Sequence, residues 1–236
     1  MNQEKHAIGI DVGGVSARVG LVSEAGRVLF QVSSRTGVHI SGVQLMEKLA
    51  MATRAALEFA AERRLEVGGI GVGMPAFVDE NGCVEGASNL PGINGTPVGP
   101  RLEQEFRLPV RTENDVSAGA CGEYYFGGHR GRSRRMLFLA VGTGVGGGMI
   151  VDGQLLRVAR GCLGDPGHII VDVSGNSPCR CGGNGCLEAV ASGWALMERA
   201  KRIGIEATPK QIFERAAAGE TALAELARQA AVAVGV

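Results

Sequence analysis

The stretch RMLFLAVGTGVGGGMIVDGQLLRV, residues 135–158, has an order of apolar runs and turns that indicates the fold class. An apolar run ends in a glycine-rich turn, a second apolar run follows, and Asp152-Gly153 makes a turn before a third run. Residues 6–33, HAIGIDVGGVSARVGLVSEAGRVLFQVS, repeat this order, with turns at 11–14 and 24–26. Short apolar runs between glycine turns predict strands. The repeat predicts two similar α/β lobes that face one another.

The rest of the chain alternates between helical and extended patterns. The expected boundary leaves a smaller N-terminal lobe at 1–117 and a larger lobe at 118–236. Ser41 is a candidate cap for the first helix. A helix is predicted at 43–63, a buried strand that runs into a Pro-containing turn at 67–78, and a long loop or short irregular strands at 79–100. A short helix at 101–106 and a strand at 108–115 follow, and further helices are predicted at 116–128, 188–204, 209–219 and 220–236.

Composition excludes several classes of protein. The 236 residues contain 24 Lys and Arg and 24 Asp and Glu, so no net charge attracts nucleic acid or an anionic membrane. The basic stretch HRGRSRR at 129–135 is predicted to be a solvated loop. The N-terminus has neither a signal-peptide pattern nor an apolar run of spanning length, which predicts a cytoplasmic protein. The 38 glycines cluster where apolar runs stop, a pattern of tight turns and close ligand approach.

Both glycine turns have the composition of a phosphate-binding nest, in which backbone N–H groups point at the open side of a turn. Asp11 stands before the first glycine pair and could orient a hydrated Mg²⁺, while Thr143 could donate its hydroxyl group to a phosphate. One such turn is typical of an ordinary hairpin, but two copies favour a nucleoside triphosphate as ligand. Neither copy has the P-loop or the Rossmann spacing.

Glu113-Asn114-Asp115 ends a predicted strand. An Asn or Asp at this junction is commonly just a helix N-cap. The alternative is a carboxylate at a cleft wall, with Asp115 accepting the proton of a hydroxyl group that attacks phosphorus. Asn114 would then hydrogen-bond a neighbouring hydroxyl group, which suits a polyol substrate.

CRCGGNGC at 179–186 places three thiols within eight residues. A reducing compartment disfavours disulfides, and the C-x-x-C spacing of thioredoxin-type redox couples is absent. His168 is the nearest upstream candidate for a fourth ligand of a tetrahedral, structural zinc ion. Three unconnected thiols remain the alternative.

Taken together, these motifs resemble the ROK family of repressors, open reading frames and sugar kinases. The resemblance implies an actin-like, ribonuclease-H-like fold of two α/β lobes, ATP-dependent phosphorylation of glucose or an N-acetylhexosamine, and often a homodimer. The matching motifs are DVGG (11–14), NLPG (89–92), ENDVSAGACGEYYFGG (113–128), GTGVGGG (142–148), GDPGHI (164–169) and CRCGGNGCLEA (179–189).

The resemblance also implies roles for single residues. Asp115 matches the catalytic base, and His168, Cys179, Cys181 and Cys186 match the zinc ligands. The implied substrate-binding residues are Asn89, Asn114, Asp115, Asp165, His168 and Glu188. The implied ATP-binding residues, with magnesium, are Asp11, Gly13, Gly14, Gly142, Thr143 and Gly144.

Four features depart from the family pattern. Val15 replaces a Thr that ends the first turn, Ala76 replaces a Gly, Asp165 replaces a Glu, and the chain stops where family members continue, so a C-terminal part is expected to be missing. These departures keep two alternatives open beside the kinase. One is a non-catalytic sugar-sensing ROK protein without its own DNA-binding domain, and the other is a zinc-stabilised structural relic.

Overall fold

The structure, a computed structural model, describes residues 4–87, 90–128, 132–157 and 166–235. The chain divides into two compact units. The first unit comprises 1–137 with 148–162, and the second comprises 138–147 with 163–236. The lobe boundary expected near residue 117 stays a prediction. Among the described residues, no helix combines the length and the apolar character needed to cross a membrane.

The predicted strands of the first half are present. In chain order the strands are β1 (His6–Val12), β2 (Ser16–Ser23), β3 (Val28–Arg35), β4 (Val67–Met74), β5 (Phe77–Val78), β6 (Val84–Glu85), β7 (Val110–Asn114), β8 (Arg135–Val141), β9 (Val145–Val151) and β10 (Gln154–Leu155). A five-stranded sheet has the order β3-β2-β1-β4-β7. Its first three strands are antiparallel neighbours, and β4 and β7 continue it in parallel.

The helices are α1 (Gly42–Glu62), α2 (Val98–Phe106), α3 (Asp115–Phe126), α4 (Leu187–Ala191), α5 (Gly193–Arg202), α6 (Pro209–Ala217) and α7 (Thr221–Val234). Ser41 caps α1 as predicted. Its Oγ accepts from the Gln44 N–H at 3.3 Å, and the Gln44 Oε1 accepts from the Ser41 N–H at 3.0 Å. This capping box satisfies two backbone donors at the start of the helix.

The core of the first unit lies between the sheet and α1. Alternate residues of β1, namely Ile8, Ile10 and Val12, are buried, and Leu45 and Leu49 of α1 pack in the same cluster. Side chains return to the same face every two residues in a strand and about every 3.6 residues in a helix. These apolar side chains therefore lie on one face of β1 and on one face of α1. Since β1 is central in the sheet, this packing fixes the strand ends that carry Asp11 and Asp115.

A second sheet contains the other glycine turn. Its order is β10-β9-β8, and residues 142–144 connect β8 to β9. The predicted internal repeat is therefore present as two three-strand units, each with a glycine turn between its first two strands. In the second unit, α4 to α7 enclose a separate core, whose largest buried members are Leu187, Leu196, Ile212 and Leu223.

The stretch 67–78, predicted as a strand that runs into a Pro-containing turn, is β4, a bend at Pro75 and Ala76, and the short β5, which pairs with β6. One predicted element is divided in the structure. The helix predicted at 188–204 is α4 and α5, because the Ser192 backbone is extended (φ −71°, ψ 160°) and its Oγ accepts from the Ala195 N–H at 3.2 Å. A serine that caps the next helix ends the previous one.

Leu49→Ala should destabilise the first unit by about 2–5 kcal/mol, because Leu49 is 0% exposed and its loss leaves a cavity beside the sheet. Urea unfolding followed by circular dichroism measures this change. Met51→Ala is the matched control on the same helix, since Met51 is 65% exposed, and it should change stability by less than about 0.5 kcal/mol. Equal effects of the two substitutions would contradict the packing of α1.

Candidate functional site

The first glycine turn, residues 11–15, is closed by one backbone and one side-chain hydrogen bond, both made by Gly13. The Gly13 N–H donates to the Ser16 carbonyl oxygen at 2.8 Å, and the Thr36 hydroxyl group donates to the Gly13 carbonyl oxygen at 2.9 Å. A Cβ atom at Gly14 would meet no described atom within 4 Å. The turn therefore leaves open space over Gly14, as the approach of a phosphate requires.

The first glycine turn has one charged and one apolar side chain near its ends, those of Asp11 and Val15. Asp11 forms an ion pair with Arg18, with 2.7 Å between Oδ2 and Nη2. Val15, which stands where the family pattern has a threonine, is 77% exposed. An exposed valine has no hydroxyl group to donate to a ligand, so the first turn offers only backbone donors at this position.

Asn114 and Asp115 lie where β7 meets α3. The Asn114 side-chain oxygen accepts from the N–H groups of Val116 and Ser117 at 3.0 and 3.1 Å, so Asn114 is the N-cap of α3. Its Nδ2 donates to the Ala76 carbonyl oxygen at 3.3 Å. Because the amide oxygen is committed to the cap, Asn114 could contact a ligand only by donating the second Nδ2 hydrogen.

Asp115 is half-buried at the first position of α3. Its Oδ1 accepts from the Val116 N–H at 2.9 Å. Burial raises the pKa of this carboxyl group above its usual range, and the charge of Asp11 raises it further, although the Val116 N–H opposes the shift. A carboxylate whose pKa is raised toward neutrality binds a proton more strongly, which suits a general base.

An ion pair supports the strand end that carries these two residues. The Glu113 carboxylate accepts from Nη2 of Arg157 at 2.6 Å and from the Asn114 N–H at 3.0 Å. No motif of the sequence predicts this contact. Glu113 and Arg157 are 44 positions apart, so no local motif could indicate it.

The second glycine turn, residues 142–144, is held from two sides within the second unit. Oε2 of Glu188 accepts from the Val145 N–H at 2.9 Å. The Gly193 N–H, at the start of α5, donates to the Gly142 carbonyl oxygen at 2.8 Å, and the Trp194 N–H donates to the Thr143 carbonyl oxygen at 3.3 Å. Gly142 and Thr143 themselves are exposed.

His168, Cys179, Cys181 and Cys186 converge as predicted, and we call them the Cys3His cluster. Their ligand atoms all lie within 4.8 Å of one another. The Cys181 and Cys186 sulfurs are 3.7 Å apart, as are the Cys179 sulfur and Nδ1 of His168. Metal–sulfur bonds of about 2.3 Å in a tetrahedral site place two sulfurs about 3.8 Å apart. The spacing therefore fits a four-coordinate ion and is too long for a disulfide.

The loop around the cluster is shaped by glycines. Gly182 and Gly185 have φ values of 89° and 78°, which disfavour any other residue. A Cβ atom at Gly185 would also lie 2.0 Å from the Asp172 carbonyl oxygen. Burial raises the pKa of the Cys186 thiol to about 12. An ion would have to replace this proton, so its binding weakens as pH falls.

A family model described as ROK family matches residues 7–236. The chain belongs to the ROK family. A glucokinase of Halalkalibacterium halodurans is 35% identical over 78% of this chain and 56% of its own length. A xylose repressor of Caldicellulosiruptor bescii is 34% identical over 83% of this chain and 49% of its own length. The chain therefore spans about half the length of the curated relatives it matches.

Solved ROK structures share the fold. The ROK hexokinase of Thermus thermophilus is 33% identical, with a TM-score of 0.84 over 98% of this chain and 75% of that chain. A ROK glucokinase of Streptomyces griseus, solved with glucose and AMPPNP, is 31% identical, with a TM-score of 0.76 over 98% of this chain and 77% of that chain. The predicted actin-like α/β fold is confirmed.

The ROK site residues predicted from sequence fall into separate groups. Asp11, Gly13, Gly14, Asn114 and Asp115 belong to the first unit, and the second glycine turn, Glu188 and the Cys3His cluster belong to the second. Asn89 and Asp165 lie outside the described residues. The structure adds contacts of Glu188 and Gly193 with the second turn, which the motif alone does not indicate.

Asp115→Asn should raise the stability of the folded chain at pH 7. Because the pKa of Asp115 is raised on folding, stability is lost as pH rises from the ordinary aspartate pKa of about 3.9 through the raised value. Asp115→Asn does not lose this stability as pH rises. The difference in the free energy of unfolding between the variant and the wild type should therefore vanish below about pH 3.5. Thermal unfolding between pH 3 and 8 measures the difference. Glu103→Gln, an exposed carboxylate of α2, is the control for removing a charge. A pH-independent difference would contradict the assignment.

Proposed function

We propose that this protein is a hexose kinase that transfers the γ-phosphate of ATP to a sugar hydroxyl group. The observation that carries the proposal is Asp115, a half-buried carboxyl group with a raised pKa at the first position of a capped helix. The glucokinase relative and the glucokinase complex with glucose and AMPPNP support the same assignment. Glucose and N-acetylhexosamines are the proposed substrates.

Asp115 is the proposed base. It accepts the proton of the attacking hydroxyl group, and the oxygen forms the new bond to phosphorus while the bond to ADP breaks. Asn114 orients a sugar hydroxyl group through its remaining Nδ2 hydrogen. Asn89, Asp165, His168 and Glu188 complete the proposed sugar contacts. Each glycine turn is proposed to bind phosphate oxygens through its open backbone N–H groups, and Asp11 would orient a hydrated Mg²⁺.

The Cys3His cluster is the proposed site of a structural zinc ion. Three thiolates and one imidazole form a closed tetrahedral donor set, which leaves no open position for substrate. Such an ion would stiffen residues 168–186 and fix the start of α4, which carries Glu188. We also propose that the protein is cytoplasmic and that it forms a homodimer.

The alternative is a sugar-sensing protein without catalysis. The similarity to a xylose repressor, at 34% identity, favours it, as does the exposed Val15 where a hydroxyl donor is expected. A sensor would bind a sugar and would not bind ATP. Calorimetry with glucose and with AMPPNP separates the two functions.

Asp115→Asn should lower kcat for hexose phosphorylation by about 10²–10⁴-fold and change KM little, because the amide cannot accept the proton. A coupled assay of ADP release across a panel of hexoses measures this change. Glu103→Gln should retain wild-type turnover. An inactive wild-type chain on every hexose, or an Asp115→Asn variant with full activity, would refute the kinase.

Purified protein should contain one zinc ion per chain, and Cys186→Ser should lose it, because a hydroxyl group is a poor ligand for zinc. Elemental mass spectrometry measures the metal content. Cys121→Ser is the matched control, since Cys121 is a partly buried cysteine of α3 outside the cluster. If both variants keep the same zinc content, the cluster is not the site.

A further inference from the structure

Glu188 makes a contact that a sugar-binding role does not require. Its Oε2 accepts the Val145 N–H at 2.9 Å, directly after the second glycine turn. Val145 is 3% exposed, so water cannot readily replace the carboxylate as acceptor. The carboxylate is thus the partner of a buried backbone donor at the first residue of β9.

The space around this contact is closed on the turn side. A Cβ atom at Gly144 would lie 2.5 Å from Oε2 of Glu188, whereas a Cβ atom at Gly142 would meet no described atom within 4 Å. Gly144 is therefore required for the close approach of the carboxylate, and Gly142 is not. The two glycines of one turn have different physical roles.

The opposite side of the turn is held by α5. The Gly193 N–H donates to the Gly142 carbonyl oxygen at 2.8 Å, and a Cβ atom at Gly193 would lie 2.9 Å from that oxygen. Glu188 and Gly193 belong to one short stretch that begins after Cys186. This stretch therefore contacts both ends of the second glycine turn.

We propose that Glu188 is a positioning residue for the second glycine turn and thereby controls the affinity for the nucleotide. This role deepens the proposed kinase function and rests on it. The Gly142 N–H donates to the Gly144 carbonyl oxygen at 2.9 Å within the turn. The carboxylate fixes the direction of the chain as it leaves the turn, so that the N–H groups of Thr143 and Gly144 keep one arrangement for a phosphate. Cys186 of the Cys3His cluster lies two residues before Glu188, so an ion bound by the cluster would help to hold Glu188 in place.

Hydrogen exchange and calorimetry on the metal-loaded chain test this role. Glu188→Ala should speed amide exchange in 142–147 by about tenfold or more, because a hydrogen bond to a charged acceptor is lost. Its affinity for AMPPNP with Mg²⁺ should fall by about tenfold. Glu188→Gln should recover most of the protection, since its amide oxygen can accept the same N–H. Glu198→Ala, an exposed glutamate of α5, is the matched control and should match the wild type.

A glycine pair keeps the test decisive if Glu188→Ala fails to fold. Gly144→Ala should speed exchange in 142–147 because its methyl group displaces the carboxylate, whereas Gly142→Ala should not. Unchanged exchange in Glu188→Ala, or equal exchange in the two glycine variants, would overturn the proposal. If the wild-type chain binds no AMPPNP, the kinase fails, and the exchange data still decide whether Glu188 positions the turn.

Discussion

The convergence of one imidazole and three thiols is the constraint on which the second unit depends. Four donor atoms within 4.8 Å of one another bring residue 168 to the segment 179–186, although this loop has little apolar core of its own. Helix α4 begins directly after Cys186, with no side-chain cap. The start of α4 is held by the Leu187 N–H, which donates to the Ile169 carbonyl oxygen at 2.9 Å, and by Leu187 in the core of the second unit. Cys186 of the cluster lies two residues before Glu188, whose carboxylate accepts the backbone N–H beside the second glycine turn.

Close approach explains the glycines better than flexibility does. At Gly144 and Gly193, a Cβ atom would lie 2.5 Å from a carboxylate oxygen and 2.9 Å from a carbonyl oxygen. Without a Cβ atom at these two positions, the Glu188 side chain and the backbone of α5 can pack against the turn. Here glycine allows close packing instead of flexibility. At Gly14 and Gly142, by contrast, no described atom lies within 4 Å of a Cβ position. Each glycine turn therefore has open space on one side, and the second turn also has close contacts on its other side. An anion-binding nest needs this arrangement.

The sequence predicts the elements of this fold well because its signals are local. Alternation in β1, the Ser41 cap and the two glycine turns each depend on fewer than ten neighbouring residues. The Cys3His cluster is also predictable, since three of its ligands share one short motif. The contacts of Glu188 with Val145 and of Arg157 with Glu113 span 43 and 44 positions, and neither pair has a local pattern. The break at Ser192 has no apolar signal, because apolar residues continue on both sides of it, and the Gly193 N–H leaves the helical pattern to donate to the Gly142 carbonyl oxygen.

Asn114 and Asp115 have different roles: Asn114 caps α3, and Asp115 is the proposed base. A carboxylate that caps a helix accepts backbone N–H groups, and this lowers its pKa and makes it a poorer base. Here the neutral amide of Asn114 accepts from Val116 and Ser117. Asp115 accepts from the Val116 N–H, and its own backbone N–H also lowers its pKa. Burial, with a smaller contribution from the charge of Asp11, nevertheless raises the pKa above its usual range. The buried carboxylate of Asp115 lowers stability, whereas the cap that stabilises α3 is made by a different residue, Asn114. Exchanging the two residues would place the carboxylate where the N–H groups of Val116 and Ser117 donate to it, which lowers its pKa. Helix α3 would keep its N-cap, and position 115 would no longer have a carboxylate to act as base.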